Sequence, residues 1–266
     1  LRIDRSYLNT VEGNLIGTDS TGTADRGNTS SGIFLESSVG GSWATESNTI
    51  GGATVSSANV ISGNDGPGIC LSGEWTRQND LKYNYIGTGA PGNGDCGVEL
   101  IDGAHDNRFS YNTVAENASD GFRAEGAGTD YNLFSRNQTF NNGDLGINLI
   151  DGANEGVASP AIEQVTWLSE SSAKVSGSKQ SGCGIELFSA DTDGPGPGEG
   201  ASYLASFPAD GATVWTIQTA AGLSPGDWLT AAQTTALSST SEFSENVPFT
   251  QESPTPSPTP SSTVSP

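Results

Sequence analysis

The chain of 266 residues contains no methionine, a single histidine and only three cysteines. The cysteines, Cys70, Cys96 and Cys183, form no Cys-x-x-Cys pair, which argues against a zinc site and against thioredoxin-type redox chemistry. No apolar stretch approaches the roughly 18 residues that a membrane-spanning helix needs. The sequence therefore predicts neither a zinc protein nor an integral membrane protein.

Basic residues are also scarce, with 10 lysines and arginines against 31 aspartates and glutamates, a net charge of −21. Such a surface repels the phosphates of nucleic acids and of anionic membranes. The same charge suits calcium, cationic surfaces or solubility at high salt. We therefore expect no nucleic acid partner and no membrane insertion.

Hydrophobic residues make up only 33% of the chain, whereas glycine occurs 36 times. This composition disfavours helices and favours turns. Disorder is nevertheless not indicated, because large apolar residues recur at regular places along most of the chain.

Three short phrases repeat through the first 150 residues. The first, a glycine followed by an apolar, a variable and an apolar residue, recurs at steps of 36, 29, 24 and 25 residues. Its copies are Gly32-Ile33-Phe34-Leu35, Gly68-Ile69-Cys70-Leu71, Gly97-Val98-Glu99-Leu100, Gly121-Phe122-Arg123-Ala124 and Gly146-Ile147-Asn148-Leu149. The other two phrases begin with asparagine, at Asn9, Asn48, Asn79, Asn107 and Asn132 and at Asn14, Asn59, Asn84, Asn112 and Asn137.

Three short strands in about 25 residues are what one coil of a three-sided β-solenoid requires, since each coil buries its inward residues against the next. The alternation of side chains along a strand predicts that Ile33, Ile69, Val98, Phe122 and Ile147 form one inward ladder. We expect the repeated asparagines to form hydrogen-bonded ladders at the corners and to adopt the left-handed backbone found there. Since Cys70 and Cys96 lie 26 residues apart, close to one repeat, a coil-to-coil disulfide is a candidate.

Several of these phrases resemble a known family. Asn48-Thr49-Ile50-Gly51-Gly52, Ala58 to Asn64 and Asn84-Tyr85-Ile86-Gly87-Thr88 are similar to segments of secreted bacterial right-handed parallel β-helix repeat proteins, in the pectate-lyase-like superfamily. The resemblance covers residues 1–158 and implies the fold. It is almost silent on function, because this scaffold carries lyases, hydrolases, epimerases, adhesins and structural proteins.

Residues 159–250 have a different pattern, in which short apolar runs alternate with turns. About seven strands in 90 residues predict an immunoglobulin-like β-sandwich. The segments around Gly198 to Leu204 and Thr240 to Ser244 resemble a module often appended to such β-helices, which implies an accessory or spacer role. Residues 251–266 form a Pro/Ser/Thr-rich extended tail, in which Thr255 and Thr259 are candidates for O-glycosylation.

The outward positions of the first phrase place Glu99 beside Arg123 on neighbouring coils. A polysaccharide lyase needs a cation for the substrate carboxylate and a base for the α-proton, so these two are the candidates if the protein is an enzyme. The alternative is a surface ion pair worth about 0–1 kcal/mol. The aspartate cluster with which pectate lyases hold calcium is absent from the sequence, as are the polygalacturonase-like phrases.

Two further candidates are weaker. His105 lies in a turn between strands, where a lone histidine is usually solvated, although it is a candidate general base. Asp191, Asp193 and Glu199 lie on a glycine-bent loop whose oxygen atoms suit calcium, but their spacing departs from the twelve-residue calcium loop and also fits a plain acidic turn. We otherwise expect no cofactor.

Three Asn-x-Ser/Thr sequons occur, at Asn28, Asn117 and Asn137. Asn137 belongs to a corner phrase, where a ladder would bury it. Asn28 and Asn117 are predicted to lie in turns and are the better acceptors for N-glycosylation.

The sequence favours a non-catalytic, secreted structural or surface protein, with a polysaccharide lyase or hydrolase and a glycan-binding adhesin as alternatives. The chain starts within the repeat pattern, without a polar cap, which suggests a trimmed product or a subunit with an open strand edge. Such an edge favours head-to-tail association of copies into a glycosylated filament or surface layer. Extracellular glycans are the other expected partners.

Overall fold

The structure is a computed structural model, and it describes residues 1–37, 43–89, 91–169, 172–191, 198–219, 223–224 and 226–250. It is an all-β protein built on a parallel β-solenoid of about five turns. Helix is nearly absent from the described residues, where it is confined to two short 3₁₀ segments, Val55–Ser57 and Ala153–Gly156. The predicted parallel β-helix is thus confirmed.

The first sheet of the solenoid contains the repeated glycine phrase. Its six parallel strands, in spatial order, are Arg2–Asp4, Ile33–Glu36, Ile69–Ser72, Val98–Ile101, Phe122–Glu125 and Ile147–Ile150. The register pairs Ile33 with Ile69, Ile69 with Val98, Val98 with Phe122 and Phe122 with Ile147. The predicted inward ladder is therefore confirmed.

Two further parallel sheets, each of five strands, complete the coils. The second sheet consists of Thr10–Val11, Thr49–Gly51, Asp80–Lys82, Arg108–Ser110 and Leu133–Ser135. The third consists of Leu15–Ile16, Val60–Ile61, Tyr85–Ile86, Thr113–Ala115 and Gln138–Phe140. A short pair, Thr45–Glu46 with Thr76–Arg77, lies between the first and second sheets.

The interior of the solenoid is filled by aliphatic residues and by three phenylalanines in contact. The rings of Phe109, Phe122 and Phe134 have centroids 4.9–5.7 Å apart. The repeated glycines border this core, and a Cβ on Gly68 would lie 2.7 Å from both Ile86 and Asn93 and 2.8 Å from the carbonyl of Gly97. The glycine of the first phrase is therefore required by close contact with the next coil.

Asparagine ladders run along the corners, as predicted. One ladder consists of Asn14, Asn59, Asn84, Asn112 and Asn137. In it, each Oδ1 after that of Asn14 accepts hydrogen bonds from the backbone N–H and the Nδ2 of the asparagine on the preceding coil. A second ladder begins at Asn9 and ends at Asn154 through Asn48, Asn79, Asn107 and Asn132.

The predicted position of the left-handed backbone is wrong by one residue. At most ladder corners the positive φ falls on the residue before the asparagine, as at Tyr83 (56°), Asp106 (56°), Tyr111 (56°) and Arg136 (53°). This arrangement leaves the asparagine free to place its amide in the ladder while its neighbour turns the chain.

The C-terminal region, residues 161–250, forms two antiparallel sheets among the described residues. One contains Ala161–Ser169, Ser172–Ser178 and Val214–Thr219, and the other contains Gly200–Phe207, Gly184–Ala190, Trp228–Thr234 and Val247–Pro248. Trp215, Leu187, Leu229 and Phe249 are buried in a core of its own. Short apolar runs of the sequence, among them Ile185–Phe188 and Trp228–Leu229, fall within these strands.

The C-terminal region covers the last coil of the solenoid. Phe188 and Phe243 join the hydrophobic cluster of the solenoid interior. Side-chain oxygens also accept hydrogen bonds from backbone N–H groups of the last coil, including those from Phe134 to Thr240 Oγ1 (3.1 Å) and from Leu149 to Glu242 Oε1 (2.8 Å). The strand edges at this end of the stack are thereby protected from pairing with another chain.

Candidate functional site

Arg123 lies at the centre of an ion cluster on the outer face of the first sheet. The strand register stacks Cys70, Glu99, Arg123 and Asn148 in one outward ladder, as predicted. The guanidinium of Arg123 contacts both carboxylate oxygens of Asp95 at 3.0 Å and donates to Glu99 Oε1 at 2.7 Å. Asp120 Oδ2 lies 4.0 Å from Arg123 Nη1.

The surroundings of Arg123 hold it as a cation whose two terminal nitrogens are paired with carboxylates. Burial by itself lowers the pKa of Arg123, but the hydrogen bonds to Asp95 and Glu99 outweigh burial and raise it. Bidentate carboxylate pairing uses the fork geometry with which arginine recognises a substrate carboxylate. Arg123 is thus already paired with the chain's own carboxylates. The sequence suggested Glu99 as its partner but missed Asp95, which lies 28 residues earlier, just before the glycine phrase.

The cysteines near this cluster are free and buried. The predicted Cys70–Cys96 disulfide is not formed in the structure. Burial, followed by the negative charge of Glu99, raises the pKa of the Cys70 thiol. Burial also raises the pKa of Cys96, although Arg123 opposes that shift. Both groups are therefore protonated thiols at neutral pH and poor nucleophiles.

His105 lies beside a shallow acidic cavity of about 490 Å³, which Glu74, Asp102 and Asp130 also line. Its Nδ1 is 2.7 Å from Asp106 Oδ2, and about a quarter of the side chain (23%) is exposed. Burial raises the pKa of Asp130, while a hydrogen bond from the Glu155 N–H and the charge of His105 oppose that shift. The structure brings His105 together with carboxylates but not with Glu99 or Arg123, which lie on another face.

The calcium candidates Asp191 and Glu199 serve as hydrogen-bond acceptors for the last coil, whereas Asp193 lies outside the described residues. Glu199 accepts from the backbone N–H of Asn142 at 3.0 Å and from its Nδ2 at 2.5 Å. Asp191 accepts from the N–H of Asn141 at 2.8 Å. These carboxylates face N–H donors of the last coil. Such an environment suits carboxylates that accept hydrogen bonds from the end of the solenoid better than carboxylates that bind a cation. Within the described part of the chain no group of three or more metal-ligating side chains occurs, and calcium at this loop stays a prediction.

Glu199 ends a third asparagine ladder that the sequence analysis missed. It consists of Asn28, Asn64, Asn93, Asn117 and Asn142, joined through their side-chain amides. The signal was present, since each of these asparagines stands four residues before the glycine of the first phrase.

This ladder changes the assignment of the glycosylation candidates. The prediction that Asn117 lies in an accessible turn is wrong, because its side chain is buried and its Nδ2 donates to Asn142 Oδ1 at 2.8 Å. Asn137 is buried in its ladder, as predicted, whereas Asn28 is exposed at the first position of the third ladder. Thr255 and Thr259 lie outside the described residues.

A column of aromatic and guanidinium groups on the surface was also missed. Tyr83 and Tyr111 stack with ring centroids 5.0 Å apart and planes 5° from parallel. Arg136 follows, 5.6 Å from the Tyr111 centroid and 5.0 Å from that of Tyr203 in the C-terminal region. The three residues of the column that belong to the solenoid, Tyr83, Tyr111 and Arg136, each directly precede a ladder asparagine. Their spacing of 28 and 25 residues therefore indicates that they are neighbours on consecutive coils.

The sequence matches no protein-family model, and it matches no curated protein. Within the described residues, no helix is long and apolar enough to cross a membrane.

Proposed function

We propose that this protein is a non-catalytic extracellular protein with a structural or surface role. The observation that carries the proposal is the pairing of Arg123 with Asp95 and Glu99. A lyase would need this guanidinium to neutralise a substrate carboxylate and the Glu99 carboxylate to accept a proton. In the fold each group already neutralises the other.

The pairing is best explained as a link between coils. Asp95, Glu99 and Arg123 lie on two consecutive turns, so the ion cluster ties one coil to the next on the outside while the asparagine ladders do so at the corners. A partly buried cluster that uses bidentate geometry contributes more than an isolated surface pair. A protein that works as a stiff scaffold benefits from both kinds of link.

The proposal includes secretion and the finer assignment of the two regions. The repeat phrases resemble those of secreted, right-handed, pectate-lyase-like β-helix proteins, and the two antiparallel sheets of residues 161–250 are compatible with an immunoglobulin-like module. The high acidic charge supports solubility outside the cell, and the exposed Asn28 supports glycosylation there.

Head-to-tail association of copies, with extracellular glycans as further partners, is the second part of the proposal. Because the C-terminal region covers the last coil, such a filament would not stack solenoid directly on solenoid at that end. The contact would instead involve the outer surface of the C-terminal region.

The catalytic question is tested by incubation with pectate, alginate and neutral glycans, followed by assays for unsaturated products and new reducing ends. We expect no turnover above that of heat-treated protein. Turnover that disappears in Glu99→Gln or in a folded Arg123→Ala variant would contradict the proposal and support a lyase. Electron microscopy and light scattering of the native protein test association, and monodisperse monomers at all concentrations would exclude the filament.

A further inference from the structure

We propose that the surface groove beside the Tyr83–Tyr111–Arg136–Tyr203 column binds a neutral, linear oligosaccharide. The column forms one wall, and outward residues of the third sheet, including Tyr85, Thr113 and Gln138, form the floor. This inference rests on the glycan partner named in the proposed function and specifies its chemistry and site, but it does not depend on the absence of catalysis or on filament formation.

The size and direction of the groove suit an extended polymer. Its cavity volume is about 340 Å³, within the range of small-molecule sites. The strand register places Tyr85, Thr113 and Gln138 directly above one another on three coils, so the floor runs along the solenoid axis. Successive coils are about 4.8 Å apart, which is close to the length of one sugar residue in an extended chain. Each sugar of a linear glycan would thus lie over the equivalent strand position of one coil.

The chemistry of the lining favours a sugar with both apolar faces and hydroxyl groups. Tyr85 and Tyr111 are 37% and 43% exposed, which is high for large aromatic side chains. Exposed aromatic rings offer apolar surface to the C–H faces of a pyranose, and their hydroxyls can hydrogen-bond at the same time. Thr113 and Gln138 add a hydroxyl and an amide, which both donate and accept.

The electrostatics favour a neutral ligand over a charged one. Arg136 is the only charged residue among those that line the described groove. Its Nη1 donates to the Tyr111 hydroxyl at 2.7 Å, and its guanidinium lies against two tyrosine rings. The nearby carboxylate of Glu186 accepts a hydrogen bond from the Arg136 backbone N–H at 2.8 Å. Its negative charge partly offsets the positive charge of the Arg136 guanidinium. With a net charge of −21 on the whole chain, an acidic glycan gains little here.

The side chains of the column stand at corners whose left-handed backbone, shared with most other ladder corners, glycine or asparagine would adopt with less strain. Tyr83, Tyr111 and Arg136 all have a φ of 53–56°. A non-glycine residue in this region costs on the order of 1 kcal/mol or more. In the first coil the equivalent corner residue is Gly13, so the repeat itself does not require a large side chain.

The test is isothermal titration calorimetry of the native protein with neutral β-1,4-linked hexasaccharides of glucose, mannose and xylose. The comparison probes are the glucose monomer, hexagalacturonate and a synthetic peptide with the sequence of residues 251–261. We expect at least one neutral hexasaccharide to bind more tightly than the monomer and hexagalacturonate. Because proline-rich peptides also dock on aromatic grooves, binding of the peptide with no binding of any neutral hexasaccharide would overturn the proposal.

Variants then locate the site. Tyr85→Ala is expected to weaken hexasaccharide binding about tenfold, through loss of one stacking surface, whereas Tyr85→Phe should retain most of the affinity. Tyr7→Ala is the matched control, since Tyr7 is 67% exposed on another face. Circular dichroism and melting temperature check that each variant is folded. Absence of binding by all three hexasaccharides, or equal loss in Tyr85→Ala and Tyr7→Ala, would overturn the inference.

Discussion

A single amide side chain joins three coils at each corner of the solenoid. Asn112 Oδ1 accepts from the N–H and the Nδ2 of Asn84, while its own Nδ2 donates to the Leu81 carbonyl at 2.8 Å and to Asn137 Oδ1 at 3.0 Å. An aspartate would lack the donor and a serine would be too short for both neighbours. Because Asn112 is buried, water does not replace a lost partner.

Replacement of Asn112 by alanine is therefore expected to lower the free energy of unfolding by about 3 kcal/mol or more, since several buried donors and acceptors lose their partners. The matched control is Asn28→Ala at the exposed first position of the third ladder, with an expected loss below about 1 kcal/mol. Urea denaturation monitored by circular dichroism measures both values. Equal losses in the two variants would show that buried ladder bonds contribute little.

The strands and ladders differ in how far the sequence predicts them. Inward ladders such as Ile69 over Val98 are predictable, because a stacked coil repeats the same local pattern at nearly constant spacing. The third ladder carried an equally regular signal, Asn93 before Gly97 and Asn117 before Gly121, which went unused.

The partners of the last coil were not predictable in this way. Glu199 lies 57 residues beyond Asn142, in a region without the repeat, and only the folded structure shows that it takes the place of the next ladder asparagine. The same holds for Tyr203, which completes the aromatic column from the C-terminal region. Contacts between a repeat and a non-repeat element leave no periodic trace in the sequence.

The acidic cap of the third ladder gives the stability a defined dependence on pH. Burial, and to a smaller extent the charge of Asp191, raises the pKa of Glu199 to about 7, although hydrogen bonds from Asn142 oppose the shift. A carboxyl whose pKa is higher in the folded state stabilises the fold fully below its unfolded value of about 4.5, and this contribution is lost as the pH rises through 7. Burial also raises the pKa of Glu186 in the same interface, so its contribution has the same sign.

We therefore expect the native protein to lose on the order of 2 kcal/mol of this contribution between pH 5 and pH 8. Glu199→Gln, which keeps an oxygen acceptor for Asn142, should flatten that part of the profile. Glu163→Gln, an exposed carboxyl in the strand Ala161–Ser169, is the control and should leave the profile unchanged. Thermal melts from pH 4.5 to 8.5 provide the measurement. A Glu199→Gln profile as steep as that of the native protein would contradict the assignment.

At the scale of the whole molecule, the solenoid and the C-terminal region share a hydrophobic cluster. Phe188, Ala232 and Phe243 belong to the same cluster as the inward ladders. The rings of Phe188 and Phe243 meet edge to face with centroids 5.4 Å apart, and a Cβ on Gly146 of the last coil would lie 2.8 Å from the Phe243 ring. In a solenoid each coil depends on its neighbours, so an element that covers the last coil stabilises the entire stack.

This shared cluster predicts a single cooperative unfolding transition for the native protein. Phe243→Ala opens a cavity between the last coil and the C-terminal region, and we expect it to cost about 3–5 kcal/mol. Leu237→Ala removes a side chain that is 63% exposed and should change stability by less than about 0.5 kcal/mol. Differential scanning calorimetry distinguishes the cases. Two separate transitions in the native protein, or a Phe243→Ala variant as stable as Leu237→Ala, would contradict this prediction. Either result would mean that the C-terminal region contacts the last coil without stabilising it, because loss of an apolar contact between them would leave the solenoid unaffected.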